Sequence, residues 1–268
     1  MFLTSTTTIR DRVDQQLAAG AVGQFLLLAV LAAAVDLGPL GWLVGAGYAV
    51  GLWMLLAGAA RRARSSTLGP ADLVTLARAV LVGGVAGLVA DRFSGGVTPV
   101  ATLVVLAAVA LALDGVDGQV ARRTGTVSAL GARFDMEVDA FLVLVLSIHV
   151  AVVVTPWALV VGGMRYAFVA ASWVLPWLRG ALPTRFSAKV VAAAAGIVLV
   201  VAAAGALPGP LAVGLVVALL AAVSWSFGQS VAWLWRARRV SAAPVRIPEQ
   251  RTALRRVRNE PPARTTSR

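Results

Sequence analysis

The chain contains no cysteine, a single histidine (His149) and a single lysine (Lys189). Without cysteine, disulfides and thiolate metal sites are excluded. One histidine argues against a His-based metal centre or nucleophile, and His149 reads as structural. Charge is also scarce: 13% of the 268 residues are Asp, Glu, Lys or Arg, against roughly 25% in soluble domains. That shortage excludes an ordinary soluble domain. What fills the chain instead is apolar, with 59% hydrophobic residues and a mean hydropathy of +0.84. Apolar runs near the ~20 residues needed to cross a bilayer recur along most of its length, which defines a polytopic membrane protein. The opening MFLTSTTTIRDRVDQQ puts two arginines and two aspartates ahead of any apolar run. That is not the order of a cleavable signal peptide, so the segment is expected to be retained.

Eight apolar segments can be drawn, at 18–36, 40–60, 71–90, 98–121, 128–154, 157–179, 186–205 and 210–236. The fold class expected is therefore all-α, a polytopic membrane helical bundle. Four units follow: an N-terminal segment 1–17, a transmembrane hairpin with its basic loop over 18–66, a six-helix unit over 67–236, and a disordered basic tail over 237–268. The net charge of +12 gathers at the ends of apolar runs and in the tail. This pattern fits topology and contact with anionic membrane lipids, not nucleic acid. Arg10, Arg12, Arg61, Arg62, Arg64, Arg122, Arg123, Arg179 and Arg185 fall in one set of connectors, whereas the other set contains only Arg92. By the positive-inside rule both termini are cytoplasmic, in a multi-pass protein of the cell's inner (plasma) membrane.

Five of the twelve acidic residues lie within residues 114–139 (Asp114, Asp117, Asp135, Glu137 and Asp139), between long runs of Ala, Val and Leu. Carboxylates beside such runs are costly to place and need a function. Asp114 and Asp117 are three apart and Asp135 and Asp139 four apart, so each pair shares a helix face. A turn around Arg123–Thr126 folds the two arms antiparallel, bringing Asp117 level with Asp135 and Asp114 with Asp139. Each pair spans about 4.5–6 Å along its helix. Bare, the four would repel one another. They suit Mg²⁺ or Mn²⁺, and two ions roughly 3.5–4 Å apart fit the group. The positive-inside pattern puts this hairpin on the cytoplasmic side. Glu137 points off the shared face and is expected not to ligate, with Arg133 as its counter-charge or an interface anchor.

Residues around the hairpin extend the site. Thr75 and Arg78 follow Asp72 at three-residue steps at the start of the third segment. Arg78 either snorkels from a capped helix or, with Thr75, binds a phosphate or nucleotide. Gly118, Ala121 and Gly131 allow close helix approach or clear room for a planar group or a diphosphate, and Arg122 could hold a phosphate beside bound metal. Arg165, near the middle of the sixth segment, is expected to line a pocket. Arg185, Ser187 and the lone Lys189 are candidates for binding phosphate or an acceptor. Ser226, Gln229 and Ser230 of the last segment could touch the same cavity.

The string Asp114-x2-Asp117-Gly118-x2-Ala121-Arg122-x8-Gly131-x3-Asp135-x3-Asp139 resembles, without gap or substitution, the signature of the CDP-alcohol phosphatidyltransferases. The segment PADLVTLAR is similar to that family's first-helix pattern, with Asp72 where Asn is common. The resemblance covers about residues 68–236, so that the first hairpin stands outside it as an addition to a six-helix catalytic core. It implies that Asp114, Asp117 and Asp135 are metal ligands, with Asp139 completing the site and serving as general base. It implies a cradle for the CDP moiety at Gly118, Ala121, Arg122 and Gly131. The reaction implied is CDP-diacylglycerol plus an alcohol giving a phosphodiester lipid plus CMP, in a homodimer. The acceptor stays open, although a phosphorylated polyol would fit Arg165, Arg185 and Lys189. Two rivals are weaker. The Asp-rich motifs of Mg²⁺-dependent intramembrane prenyltransferases differ from this string, and an ion transporter or scaffold predicts acids spread through the membrane depth.

Overall fold

The computed structural model describes residues 3–63, 70–124, 129–180, 182, 183 and 185–241. Within these, the side chains of residues 3–14, 57, 59–63, 70, 71, 117–124, 129, 130 and 239–241 are not described. The described chain is all-α. Its helices are α1 (Leu3–Val35), α2 (Pro39–Ala63), α3 (Pro70–Asp91), α4 (Val100–Thr124), α5 (Ala129–Val153), α6 (Ala158–Val174), α7 (Phe186–Ala203) and α8 (Gly209–Ser241). Short 3-10 turns occur at Arg92–Ser94 and Pro176–Arg179.

The helix ends follow the local chemistry. Pro39 and Pro70 each open a helix, where a missing N–H costs nothing and the fixed φ is already helical. Pro176 does the opposite to the sixth segment. Leu175, forced out of the helical region ahead of it (φ −115, ψ 87), ends α6 at Val174, short of the expected 179. In the turn between α1 and α2, Asp36 has a φ of 53, a left-handed conformation that Asp tolerates better than most residues. Gly38 beyond it lies against the Asp91 carboxylate, where an added Cβ would come within 2.4 Å of Oδ1. Asp91 is itself held by the next turn, in which Ser94 Oγ donates to its carbonyl at 2.8 Å.

Among the described residues, six helical stretches are long and apolar enough to cross a membrane, in α1, α2, α3, α5, α7 and α8. Two further apolar stretches among the described residues are Val100–Val116 in α4 and Ala158–Val174 in α6, the second cut by Pro176. Large apolar side chains such as Leu26, Leu43, Leu55, Trp173 and Trp225 stay exposed on the outside of the bundle. In a bilayer those surfaces are solvated by acyl chains, and the helices associate through close packing of small residues.

The helix that organises the rest is α3. It packs against α1 and α2 on one side and against α4 and α5 on the other. Ala79, Val82, Val85, Ala86, Leu88 and Val89 are all buried along it. Beyond α3, α5 packs on α6 and α7, and α7 on α4 and α8. The α5–α6 crossing is tight at Gly162, where an added Cβ would come 2.8 Å from the Leu144 Cα and 2.7 Å from Ser147 Oγ.

Candidate functional site

Because α3 lies between α4 and α5, a long side chain from its third turn can reach acids on both. Arg78 does this. Its side chain is fully buried and its guanidinium donates from Nη1 to Asp114 on α4 and to Asp135 on α5, both at 2.7 Å. Its Nη2 donates to Asp139, one turn further along α5. The three aspartates are partly exposed, at 39%, 35% and 42% of their side chains. Arg78 thus meets them from the inside of the bundle while each keeps an exposed side. Thr75 and Asp72, a turn and two turns nearer the start of α3, are buried on the same stripe.

One carboxylate oxygen from each of Asp114, Asp135 and Asp139 falls within 4.8 Å of the others. Three converging carboxylates carry more negative charge than one guanidinium cancels, and all-oxygen donor sets of this kind suit a hard divalent cation. The residues therefore fit the metal that the sequence implies. Asp117, Gly118, Ala121 and Arg122 ride on the last turns of α4, but their side chains lie outside the described residues, as does the turn at Gly125 and Thr126. Gly131 sits half-buried in the first turn of α5.

Glu137 stays out of the cluster, as its place on the helix face requires. Its counter-charge is Arg165 from α6, at 2.5 Å, rather than Arg133. Arg133 is exposed, and α6, packed on that side of α5, brings the guanidinium of Arg165 to Glu137. Arg165 is thus a cross-helix partner, one-third exposed. Arg185, in extended backbone just ahead of α7, donates from Nη1 to Gln229 Oε1 on α8 at 3.0 Å. Ser187 and Lys189 are exposed on the first turns of α7, and Ser230 Oγ donates to the Ser226 carbonyl within α8. The acceptor candidates therefore fall in two groups, one at the α5–α6 crossing and one at the α7–α8 end. His149 is buried at the far end of α5. It lines a separate cavity of about 320 Å³ walled by Val100, Val153, Ala202 and Val213.

One neighbour of the site had no mark in the sequence. Tyr48 on α2 stacks on Phe141 of α5, with ring centroids 4.8 Å apart and planes 18° from parallel. Its hydroxyl is buried without a hydrogen-bond partner among the described residues, and Arg78 and Tyr166 are its electrostatic neighbours. The pairing arises only because the first hairpin folds against α3 and touches α5. Being one of two tyrosines in the chain was the sole hint available.

The geometry on α3, α4 and α5 agrees with the comparison to known families. The family that matches is CDP-alcohol phosphatidyltransferase, over residues 68–228, which is more than half of the chain. This protein belongs to that family. No curated protein and no solved structure matches the chain. Membership makes it a membrane-embedded transferase of phospholipid synthesis, a phosphotransferase for substituted phosphate groups acting on CDP-alcohol substrates. The α1–α2 hairpin lies outside the matched span.

Proposed function

We propose that the protein transfers a phosphatidyl group from CDP-diacylglycerol to an alcohol, releasing CMP. The observation that carries this reading is the convergence of Asp114, Asp135 and Asp139 from two helices onto one point inside a family-matched domain. In the proposed roles Asp114, Asp117, Asp135 and Asp139 hold Mg²⁺ or Mn²⁺, with room for two ions. Bound there, the metal supplies neutralisation of the diphosphate and of the charge that develops on the leaving CMP.

The chain's own residues do the rest. Asp139 takes the proton from the acceptor hydroxyl as its oxygen attacks the phosphorus that carries the diacylglycerol. A new P–O bond to the acceptor forms, the bond from that phosphorus to the bridging oxygen breaks, and CMP departs with the bond pair. Gly118, Ala121 and Gly131 leave space for the cytidine and diphosphate to lie against the helices, while Thr75, Arg78 and Arg122 bind on the phosphate side. Arg165 or the group Arg185, Ser187 and Lys189 meets the acceptor, and a phosphorylated polyol is the acceptor chemistry that so much positive charge favours. The protein is read as a homodimer of the inner (plasma) membrane, with both termini and the carboxylates facing the cytoplasm.

The test incubates purified protein with labelled CDP-diacylglycerol, Mn²⁺ and a panel of alcohols, and measures CMP. Release that depends on Mn²⁺ and on one alcohol is the expected result, and it identifies the acceptor. If no alcohol in the panel elicits CMP above the metal-free control, the reading is wrong.

A further inference from the structure

We propose that Arg78 is the counter-ion of the carboxylates when no divalent ion is bound, and that metal loads by displacing its guanidinium from them. The geometry leads there directly. Nη1 of Arg78 bridges Asp114 and Asp135 at 2.7 Å to each, while Nη2 serves Asp139. These are the same residues whose oxygens converge within 4.8 Å as a donor set for an ion. A guanidinium spanning all three occupies the place that an ion bridging α4 and α5 would take. On shared carboxylate oxygens the two cations compete, because a divalent charge a few ångströms from a buried guanidinium is repelled by it.

Each cation has a reason to be there. Without metal, the acids need a positive partner, since carboxylates brought together uncompensated would drive α4 and α5 apart. Arg78 supplies one, but a single guanidinium leaves three carboxylates with net negative charge, so a divalent ion remains attracted. Arg78 comes from inside the bundle, fully buried, whereas the aspartates are 35–42% exposed. Metal can therefore reach the acids from solvent without passing Arg78. Once freed, the guanidinium stays tethered by its stem beside the site, and the nearest incoming anion in the phosphatidyl-transfer reading is the diphosphate of the CDP-lipid. Arg78 would then pass from carboxylates to phosphate, which reconciles its observed partners with the phosphate-binding role that its place on α3 suggests. That last step rests on the proposed function, whereas the displacement itself does not.

The experiment titrates full-length protein, purified in detergent, first with Mn²⁺ alone and then with CDP at saturating Mn²⁺. Free Mn²⁺ is followed by electron paramagnetic resonance and CDP binding by calorimetry. Arg78→Met removes the competing cation and should bind Mn²⁺ at least tenfold tighter than wild type. Arg78→Lys keeps the charge but cannot span three carboxylates, and should fall between the two. Should the Met variant fail to give a folded, monodisperse sample, the Lys variant decides the question in the same direction. With Mn²⁺ present, Arg78→Met should bind CDP at least tenfold more weakly, and Arg78→Lys closer to wild type. Equal or weaker Mn²⁺ binding in the variants overturns the proposal, because Arg78 would then be organising the acids for metal instead of competing with it. Unchanged CDP affinity in Arg78→Met removes the passage to phosphate. Wild-type protein that binds Mn²⁺ but no CDP counts against the phosphatidyl-transfer reading, while the Mn²⁺ titrations still decide the displacement.

Discussion

Replacing Asp139 with Asn separates proton transfer from everything else this cluster does. The two side chains have nearly the same shape, and Asn keeps one carbonyl oxygen as a ligand. What disappears is a negative charge and the capacity to accept a proton. The structural cost should be small. Asp139 is one of three acids on Arg78, its side chain is 42% exposed, and Asp114 and Asp135 keep their 2.7 Å bonds to the guanidinium. Losing one charge-assisted hydrogen bond costs about 1.5–3 kcal/mol when buried, and solvent at this exposure should reduce that to about 1 kcal/mol. The catalytic cost should be much larger. A positioned general base contributes about 10²–10⁴-fold, equivalent to roughly 2.7–5.4 kcal/mol of barrier.

The assay is kcat for CMP release at saturating substrates and Mn²⁺, alongside Mn²⁺ binding and thermal unfolding of the same samples. Asp139→Asn should retain its fold and most of its metal binding while kcat falls at least 100-fold, and raising Mn²⁺ should not restore it. Asp114→Asn supplies the contrast. Its loss is one of metal affinity, so excess Mn²⁺ should recover much of the rate. An Asp139→Asn enzyme with metal bound and kcat within tenfold of wild type would refute the assignment of Asp139 as base.

Three further outcomes follow from packing and charge. Gly162→Val places a side chain against the Leu144 backbone and Ser147, and overpacking of this kind costs about 1–3 kcal/mol. Its unfolding temperature should fall by several degrees, whereas Gly163→Ala, whose added Cβ meets nothing within 4 Å, should not lower it, since Ala favours a helix interior over Gly. Tyr48→Phe keeps the stack on Phe141 and removes a buried hydroxyl that has no partner among the described residues. Its unfolding temperature should match or exceed that of wild type, and a clear decrease would mean that the hydroxyl is bonded. The Arg165–Glu137 pair is partly solvent-exposed, so breaking it should cost no more than about 1 kcal/mol. If Arg165 meets the acceptor, Arg165→Gln should also raise the KM for a phosphorylated acceptor, and Glu137→Gln should not; equal effects of the two would assign both residues to packing alone.

What could be read from the sequence was whatever depends on neighbours a few residues away. The acid spacings put Asp135 and Asp139 on one face, and Glu137 was turned away from them. Helix α1 begins well before the apolar segment that marked it. Hydropathy marks where a helix becomes apolar, and the polar stretch from Leu3 carries no such mark although it is helical. Arg78 shows the other kind of limit. Its stripe with Asp72 and Thr75 was visible, but its three carboxylate partners depend on α3 lying between α4 and α5, a tertiary fact with no local signature. Arg165 is a second case. Depth in an apolar run suggested a pocket, and only the packing of α6 on α5 revealed Glu137 as its partner.

The hairpin ahead of the family domain acquires a role from that same centrality of α3. Leu76, Val80, Gly83, Gly84 and Gly87 recur at helical spacing along the side of α3 turned to α1 and α2. Three of these are glycines, and each is matched by the hairpin. Gly83 lies against Gln24, Gly84 against Leu27, and Gly87 against the Gly41 carbonyl, so closely that a Cβ would come within 3.0 Å of each partner. A helix face built to meet lipid gains nothing from glycine there, whereas one built to meet another helix does. The contact fixes α3 from the side opposite the acids. Since Arg78 projects from α3 towards α4 and α5, the hairpin holds the backbone from which the cluster's cation is delivered. Tyr48 and Phe141 tie α2 to α5 across the same region. The addition therefore serves as a brace for the helix on which the charge balance of the site depends.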